Sequence, residues 1–351
     1  MLRQNKTEQN RLNNCSFAKT VMMLVIVFYH CILDVKSNWV SSTGSNEYPV
    51  ISIIIDWLAS FHNYTFVLIS GYIFYFIKYE KERYKEFVPF VKNKAKRLIV
   101  PCIFVMLVWA IPLNCYLFKT GLFSKATING YFLGTAPSQL WFLLMLFWVF
   151  VFFYIISDYV KNNTMIGVVL VFALHCIGVL ATHFVPNFYR VFDGLGFMMF
   201  FYVGFLFRQY NIVDRIKKHG IICLSVLYIA SFVLYELIKD QDSMIIKTIR
   251  TLGVQSLLNI TGCILAFLFL LSIADKLNYE NSKLYKFCEK RSMGVYLFHQ
   301  QLVHLCFMLL IGTVNVYALI PLSFVVSFAI SVIIHDILAH FKITRFLIGE
   351  K

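Results

Sequence analysis

Ten apolar stretches recur along this chain, each close to the roughly 20 residues that a helix needs to cross the hydrocarbon core of a bilayer, and they leave it few ways to fold. They lie near residues 17 to 35, 50 to 77, 98 to 118, 139 to 157, 164 to 184, 188 to 207, 219 to 238, 251 to 274, 292 to 313 and 315 to 338. A soluble core has no use for so much apolar surface: of 351 residues, 59% are hydrophobic, 17% aromatic and only 14% charged. The expected fold is therefore an all-α polytopic membrane protein, a bundle of about ten transmembrane helices. No Pro- or Ser-rich linker, low-complexity tract or internal repeat divides it. Residues 1–351 are expected to form one integral-membrane domain, with 1–16 as a polar cytoplasmic N-terminus and no soluble C-terminal domain. The first apolar run lacks a small-residue cleavage site, so it reads as a retained span rather than a signal peptide.

The net charge of +14 would suit a nucleic-acid partner if the basic residues formed a continuous stripe, but they cluster between apolar runs. That is the pattern of cytoplasmic loops. With the N-terminus inside, 25 of the 32 Lys and Arg fall on the inner side, leaving Lys36, Lys119, Lys125, Arg190, Lys239, Lys247 and Arg250 outside. Both termini are thus expected to be cytoplasmic. The nine cysteines stand singly within apolar runs, without CxxC or ligand-like spacing, and read as small core hydrophobes. No metal site is expected; His175, His183, His304, His335 and His340 share no ligand spacing.

Ionisable groups inside spans carry the functional information, because lipid penalises them. His30 follows the apolar run Met23–Tyr29, and Lys19, eleven residues earlier, returns to nearly the same helix face about 16 Å away. Asp34, one turn beyond His30, is on that face too and is expected to fix the imidazole tautomer. By spacing alone the same residues also fit an interfacial histidine, a snorkelling lysine and an ordinary span end. Lys94 and Arg97, one turn apart in Lys92-Asn93-Lys94-Ala95-Lys96-Arg97, form a pair suited to phosphates, or equally a positive-inside anchor.

Taken in order, Lys19-x10-His30, Ser70-Gly71-Tyr72, Lys94-x-x-Arg97, Trp141-Phe142-Leu143 and Ser292-x3-Tyr296-Leu297-x-His299 resemble the acyltransferase 3 family over nearly the whole chain. The resemblance implies transfer of an acyl group, usually acetyl, from cytoplasmic acyl-coenzyme A to a hydroxyl of a cell-surface glycan or its lipid-linked precursor. Phe17-Ala18-Lys19-Thr20 departs from the Asp-Gly-Leu-Arg-Gly stretch of many members, and lysine stands for arginine at Lys19 and Lys94. Lysine keeps the charge and loses the bidentate fork.

The expected mechanism follows from what acyl transfer needs. His30 is the candidate general base for the acceptor hydroxyl, with Asp34 behind it. Lys94 and Arg97 are candidates to clamp the coenzyme A phosphates, with Lys19 between that entrance and His30. Asp56, His62, Trp141 and His299 are candidates for the acceptor side; span ends, an aromatic belt and an interhelical hydrogen bond account for them equally well. Arg190 and Asp193 at the start of the sixth span carry less weight, as a loop ion pair. Expected partners are acyl-coenzyme A (acetyl-CoA or another short acyl-CoA), the glycan acceptor and membrane lipids, with no nucleic acid. Two rivals share the composition: a transporter or flippase of lipid-linked saccharides, disfavoured by the lack of matching halves, and a scaffold of a polysaccharide-synthesis complex. The Lys- and Ile-rich composition fits a bacterial plasma membrane.

Overall fold

Every apolar run forms a helix, since in lipid a spanning segment satisfies its backbone N–H and C=O groups within itself. The computed structural model describes residues 2–36, 48–119, 125–136 and 138–350, and among these no strand occurs. Ten helices are long and apolar enough to cross a membrane: α1 (Asn10–Lys36), α2 (Pro49–Glu80), α3 (Phe87–Leu117), α4 (Trp141–Asn162), α5 (Thr164–Phe184), α6 (Phe188–Gln209), α7 (Lys218–Ile238), α8 (Met244–Lys276), α9 (Lys283–Leu310) and α10 (Val316–His340). A short helix, α11 (Lys342–Leu347), follows.

Several helices run past their apolar stretches. α3 begins at Phe87 rather than near 98, α8 at Met244 rather than near 251 and α9 at Lys283 rather than near 292. The added turns are rich in Lys and Arg, which sustain a helix in water and which hydropathy counts against a span. As a result Lys94 and Arg97 lie on α3 itself instead of leading into it.

α2 is broken. Helical geometry stops at Ala59 and resumes at His62, with Ser60 Oγ donating to Trp57 O (2.6 Å) and meeting the Tyr228 hydroxyl of α7 (2.8 Å). The second half of α2 crosses α6 at backbone contact. A Cβ on Gly71 would fall 1.9 Å from Phe201 O, and one on Gly204 would fall 1.9 Å from Leu68 O. Only glycine permits that approach, the small-residue packing by which membrane helices gain dispersion energy where no hydrophobic effect separates helix from lipid. Around the crossing, Phe74, Phe153, Phe201 and Phe205 are fully buried and meet ring to ring, Phe153–Phe201 at 4.8 Å between centroids. At one end of the crossing Arg208 clasps Glu80 through Nε (2.6 Å) and Nη2 (2.5 Å) and reaches the Tyr72 hydroxyl (3.3 Å).

α7 is peripheral, with Ser231 its single buried residue and Val226, Ile229 and Leu237 among its exposed apolar ones. It is fastened by Lys239, whose Nζ meets Asp56 Oδ2 at 2.8 Å and Glu236 Oε2 at 2.7 Å.

Candidate active site

Two cavities of nearly equal size, 480 and 470 Å³, lie end to end in the bundle. The first takes its walls from the early part of α1, the later part of α2, the start of α3, the first half of α4, the start of α9 and residues Gly349–Glu350. Its cations are Lys19, Lys94, Arg97 and Lys290, its carboxylates Glu289 and Glu350. Lys94 Nζ sits 3.6 Å from the centroid of the Phe150 ring, and Lys19 Nζ 5.4 Å from that of Phe66, so aromatic faces hold both cations in place. Arg97 and Lys290 are exposed and open this basic cavity to the surface.

The second cavity is lined by the later part of α1, the break in α2, the start of α4, the start of α6 and the middle of α9. It holds His30, His62, Asn63, Gln139, Arg190, Asp193 and Gln300 among the aromatic rings of Tyr29, Tyr64, Trp141 and Phe197. Ile26, Phe142 and Tyr296 line both cavities and form the partition between them.

His30 stands one turn beyond Ile26. Its Nδ1 lies 2.8 Å from Ile26 O and 3.2 Å from His299 Nε2. His299 places its own Nδ1 against two carbonyls, Val295 O at 3.0 Å and Tyr296 O at 2.9 Å, so Nδ1 carries its proton and Nε2 is an acceptor. His30 therefore donates from Nδ1, shared between Ile26 O and His299, and keeps its lone pair on Nε2, which has no hydrogen bond among the described residues. His62 repeats the arrangement, with Nδ1 2.7 Å from Leu58 O.

The structure brings Lys19, Lys94 and Arg97 together on the basic cavity, and His30, His62 and Trp141 on the other. Three expectations change. Asp34, expected behind His30, bonds His304 Nδ1 at 2.6 Å in a buried pair. The reason is that α9 inserts His304 as the partner of Asp34, while the His30 ring turns onto Ile26 O and His299 instead. His299, expected on the acceptor side, is fully buried behind His30 as the acceptor of its Nδ1–H. Asp56 is held by Lys239 and lies outside the cavity lining.

Sequence reasoning missed the amides. Gln139, just before α4, is tied to α9 at every polar group: its N–H donates to Gln300 Oε1 (2.5 Å), its Nε2 to Leu297 O (2.7 Å) and Gln301 Oε1 (3.1 Å), and its carbonyl accepts the Tyr296 hydroxyl. The polar Ser138-Gln139 pair abutting an apolar run was the available signal. Arg190 was underweighted: its backbone and that of Tyr189 adopt φ of 60° and 53°, and Arg190 Nε donates to Gly134 O at 2.6 Å while Nη1 meets Asp193 at 3.4 Å. Two successive left-handed non-glycine residues are a strained arrangement, here at the rim of the histidine cavity.

Among the described residues no group of three or more His, Cys, Asp or Glu is placed to hold a metal ion. Fold and site together define a multi-pass membrane protein with a histidine-centred site inside the helix bundle. The chain belongs to the acyltransferase 3 family: the family model described as an acyltransferase domain matches residues 14–336, which include every residue of both cavities except Gly349 and Glu350. No curated protein and no solved structure matches it. Family membership supports the enzyme over the transporter and the scaffold.

Proposed function

We propose that this protein is an O-acyltransferase that takes acetyl or another short acyl group from cytoplasmic acyl-CoA and places it on a hydroxyl of a cell-surface polysaccharide or its lipid-linked precursor. The observation that supports this best is that His30 stands on a cavity sharing three wall residues with the cavity of Lys19, Lys94 and Arg97. A donor entering at the basic end has its acyl group directed at the partition, and an acceptor on the far side meets the base there.

The basic cavity suits the donor. Arg97 and Lys290 at its mouth and Lys94 and Lys19 deeper in offer charge-assisted hydrogen bonds to phosphate oxygens, while Phe66, Leu143 and Leu146 line the path of a neutral pantetheine arm. The positive-inside count supports a cytoplasmic position for this end. The histidine cavity suits a saccharide, with the aromatic faces of Trp141 and Phe197 beside a few polar groups, Asn63, Arg190 and Asp193.

In the reaction, the acceptor oxygen attacks the thioester carbonyl carbon as His30 Nε2 removes its proton. The C–S bond then breaks, the new ester C–O bond remains, and the departing thiolate takes up the proton that His30 carries. His299 accepts the Nδ1–H of His30 throughout and stabilises the imidazolium formed midway. The bacterial plasma membrane, inferred from composition, is the setting in which acyl-CoA and surface glycans occupy opposite sides.

The test is acyl transfer in proteoliposomes supplied with labelled acetyl-CoA and a mixed surface-glycan acceptor, comparing the unmodified protein with His30→Ala and Arg97→Ala at equal expression. Label on carbohydrate that disappears with His30→Ala, and a raised donor KM with Arg97→Ala, support the assignment. Normal transfer by His30→Ala removes the general base, and absence of donor consumption by the unmodified protein removes the activity.

A further inference from the structure

Attack on a thioester places negative charge on the carbonyl oxygen, and a buried site needs a fixed donor where that charge develops. Along α1 and α9, the two helices that carry His30 and His299, the backbone N–H groups are spent internally, so a donor on those helices has to be a side chain. We infer that the donor is the carboxamide of Gln300, whose Nε2–H₂ hydrogen-bonds the thioester oxygen as it becomes an oxyanion, making Gln300 a catalytic residue. This inference rests on the acyltransferase function proposed above.

Three observations carry it. Gln300 is 4% exposed, and it lines the histidine cavity together with His30. Its orientation is fixed: a backbone N–H bonds only to an acceptor, so the Gln139 N–H at 2.5 Å identifies the atom facing it as Oε1 and turns the NH₂ group the other way. That NH₂ group has no hydrogen bond among the described residues, and it is not among the enclosed polar atoms left without a partner.

The donor is also preorganised. Gln139, which holds Gln300, is itself clamped by Leu297, Gln301 and Tyr296, all on α9, so the amide does not have to reorient as charge appears. Chain order gives the placement. His299 and Gln300 are neighbours on one helix and point about 100° apart. The first backs the base and the second faces the chamber. Asn63 and Arg190 line the same cavity, but Asn63 has no comparable anchor and Arg190 is engaged with Gly134 and Asp193.

The test uses two substitutions in the full-length protein in proteoliposomes, with labelled acetyl-CoA and the mixed glycan acceptor. Gln300→Glu keeps an oxygen for the Gln139 N–H and replaces the donor by a second oxygen. Gln300→Met keeps the length and removes both functions, so that a protonated carboxyl cannot substitute for the amide. Both are expected to lower kcat by roughly 10²-fold or more, as loss of one oxyanion donor does, with the KM for acetyl-CoA close to that of the unmodified protein; Gln300→Glu should keep the melting temperature, and Gln300→Met should lower it by leaving the Gln139 N–H without its acceptor. Transfer at the unmodified rate by Gln300→Met overturns the inference, as does a loss confined to KM or accompanied by collapse of the melting transition in both. If His30→Ala abolishes transfer while Gln300→Met does not, the donor assignment alone fails. If the unmodified protein transfers no label, the proposed function fails first.

Discussion

The Nδ1 of His30 lies 3.2 Å from Nε2 of His299, so one imidazole orients another where a carboxylate was expected. A neutral acceptor stabilises an imidazolium less than a carboxylate does, and it costs less to bury. His299→Phe, which removes the acceptor, is expected to lower kcat by about 10²-fold or more. His299→Gln, which can still offer an oxygen, should lose less. Turnover of the three proteins under one set of conditions checks this, and equal rates in all three would remove His299 from the mechanism.

Gly71 and Gly204 predict where the bundle tolerates no added atom. A methyl group at either position would lie 1.9 Å from a backbone oxygen of the facing helix. Gly71→Ala or Gly204→Ala should therefore push α2 and α6 apart and cost at least about 2 kcal/mol, since backbone cannot give way as a side chain can. Gly253→Ala is the control, with nothing within 4 Å of the added carbon. Melting in detergent should fall for the first two and hold for the third.

The partition makes a separate prediction. Ile26→Trp fills the space between the two cavities without touching Lys94, Arg97 or His30 as residues. Binding of coenzyme A, measured by titration, should survive, while transfer to acceptor should fall by roughly 10²-fold or more because the carbonyl is held short of the base. Undiminished transfer would mean that the reactants do not meet through this wall.

Arg208 and Glu80 form a two-point ion pair with side chains 7% and 29% exposed. Arg208→Met leaves the carboxylate without its partner and should cost about 2 kcal/mol of stability. Adding Glu80→Gln should recover part of the loss, since the unpaired charge is then gone. Thermal melts of the single and double variants decide the matter; a double variant worse than the sum would point to Tyr72 as the stronger partner.

The ten helices were legible because a span's length and apolarity are local properties, and the charged extensions of α3 and α9 were not, because polar helix and polar loop have similar hydropathy. The grouping of Lys19, Lys94 and Arg97 was legible through the order of the motifs. Asp34 was misplaced because i,i+4 spacing tells which face a residue shares but not which way a ring leans or what a neighbouring helix inserts. Gln139 and Gln300 were illegible for another reason. A neutral amide in an apolar run reads as interhelical glue, and its orientation exists only once the segment before α4 meets α9.

Where water fills both cavities, Ile26, Phe142 and Tyr296 are the electrical insulator of the membrane at this point. A bilayer spreads its potential over about 30 Å of hydrocarbon; with both cavities filled by water, most of it would drop across this partition. A neutral acyl group crosses such a layer without electrical work. A proton or a thiolate does not, at about 2.3 kcal/mol per charge per 100 mV. The voltage on the membrane thus becomes a quantity that the chemistry at His30 can feel.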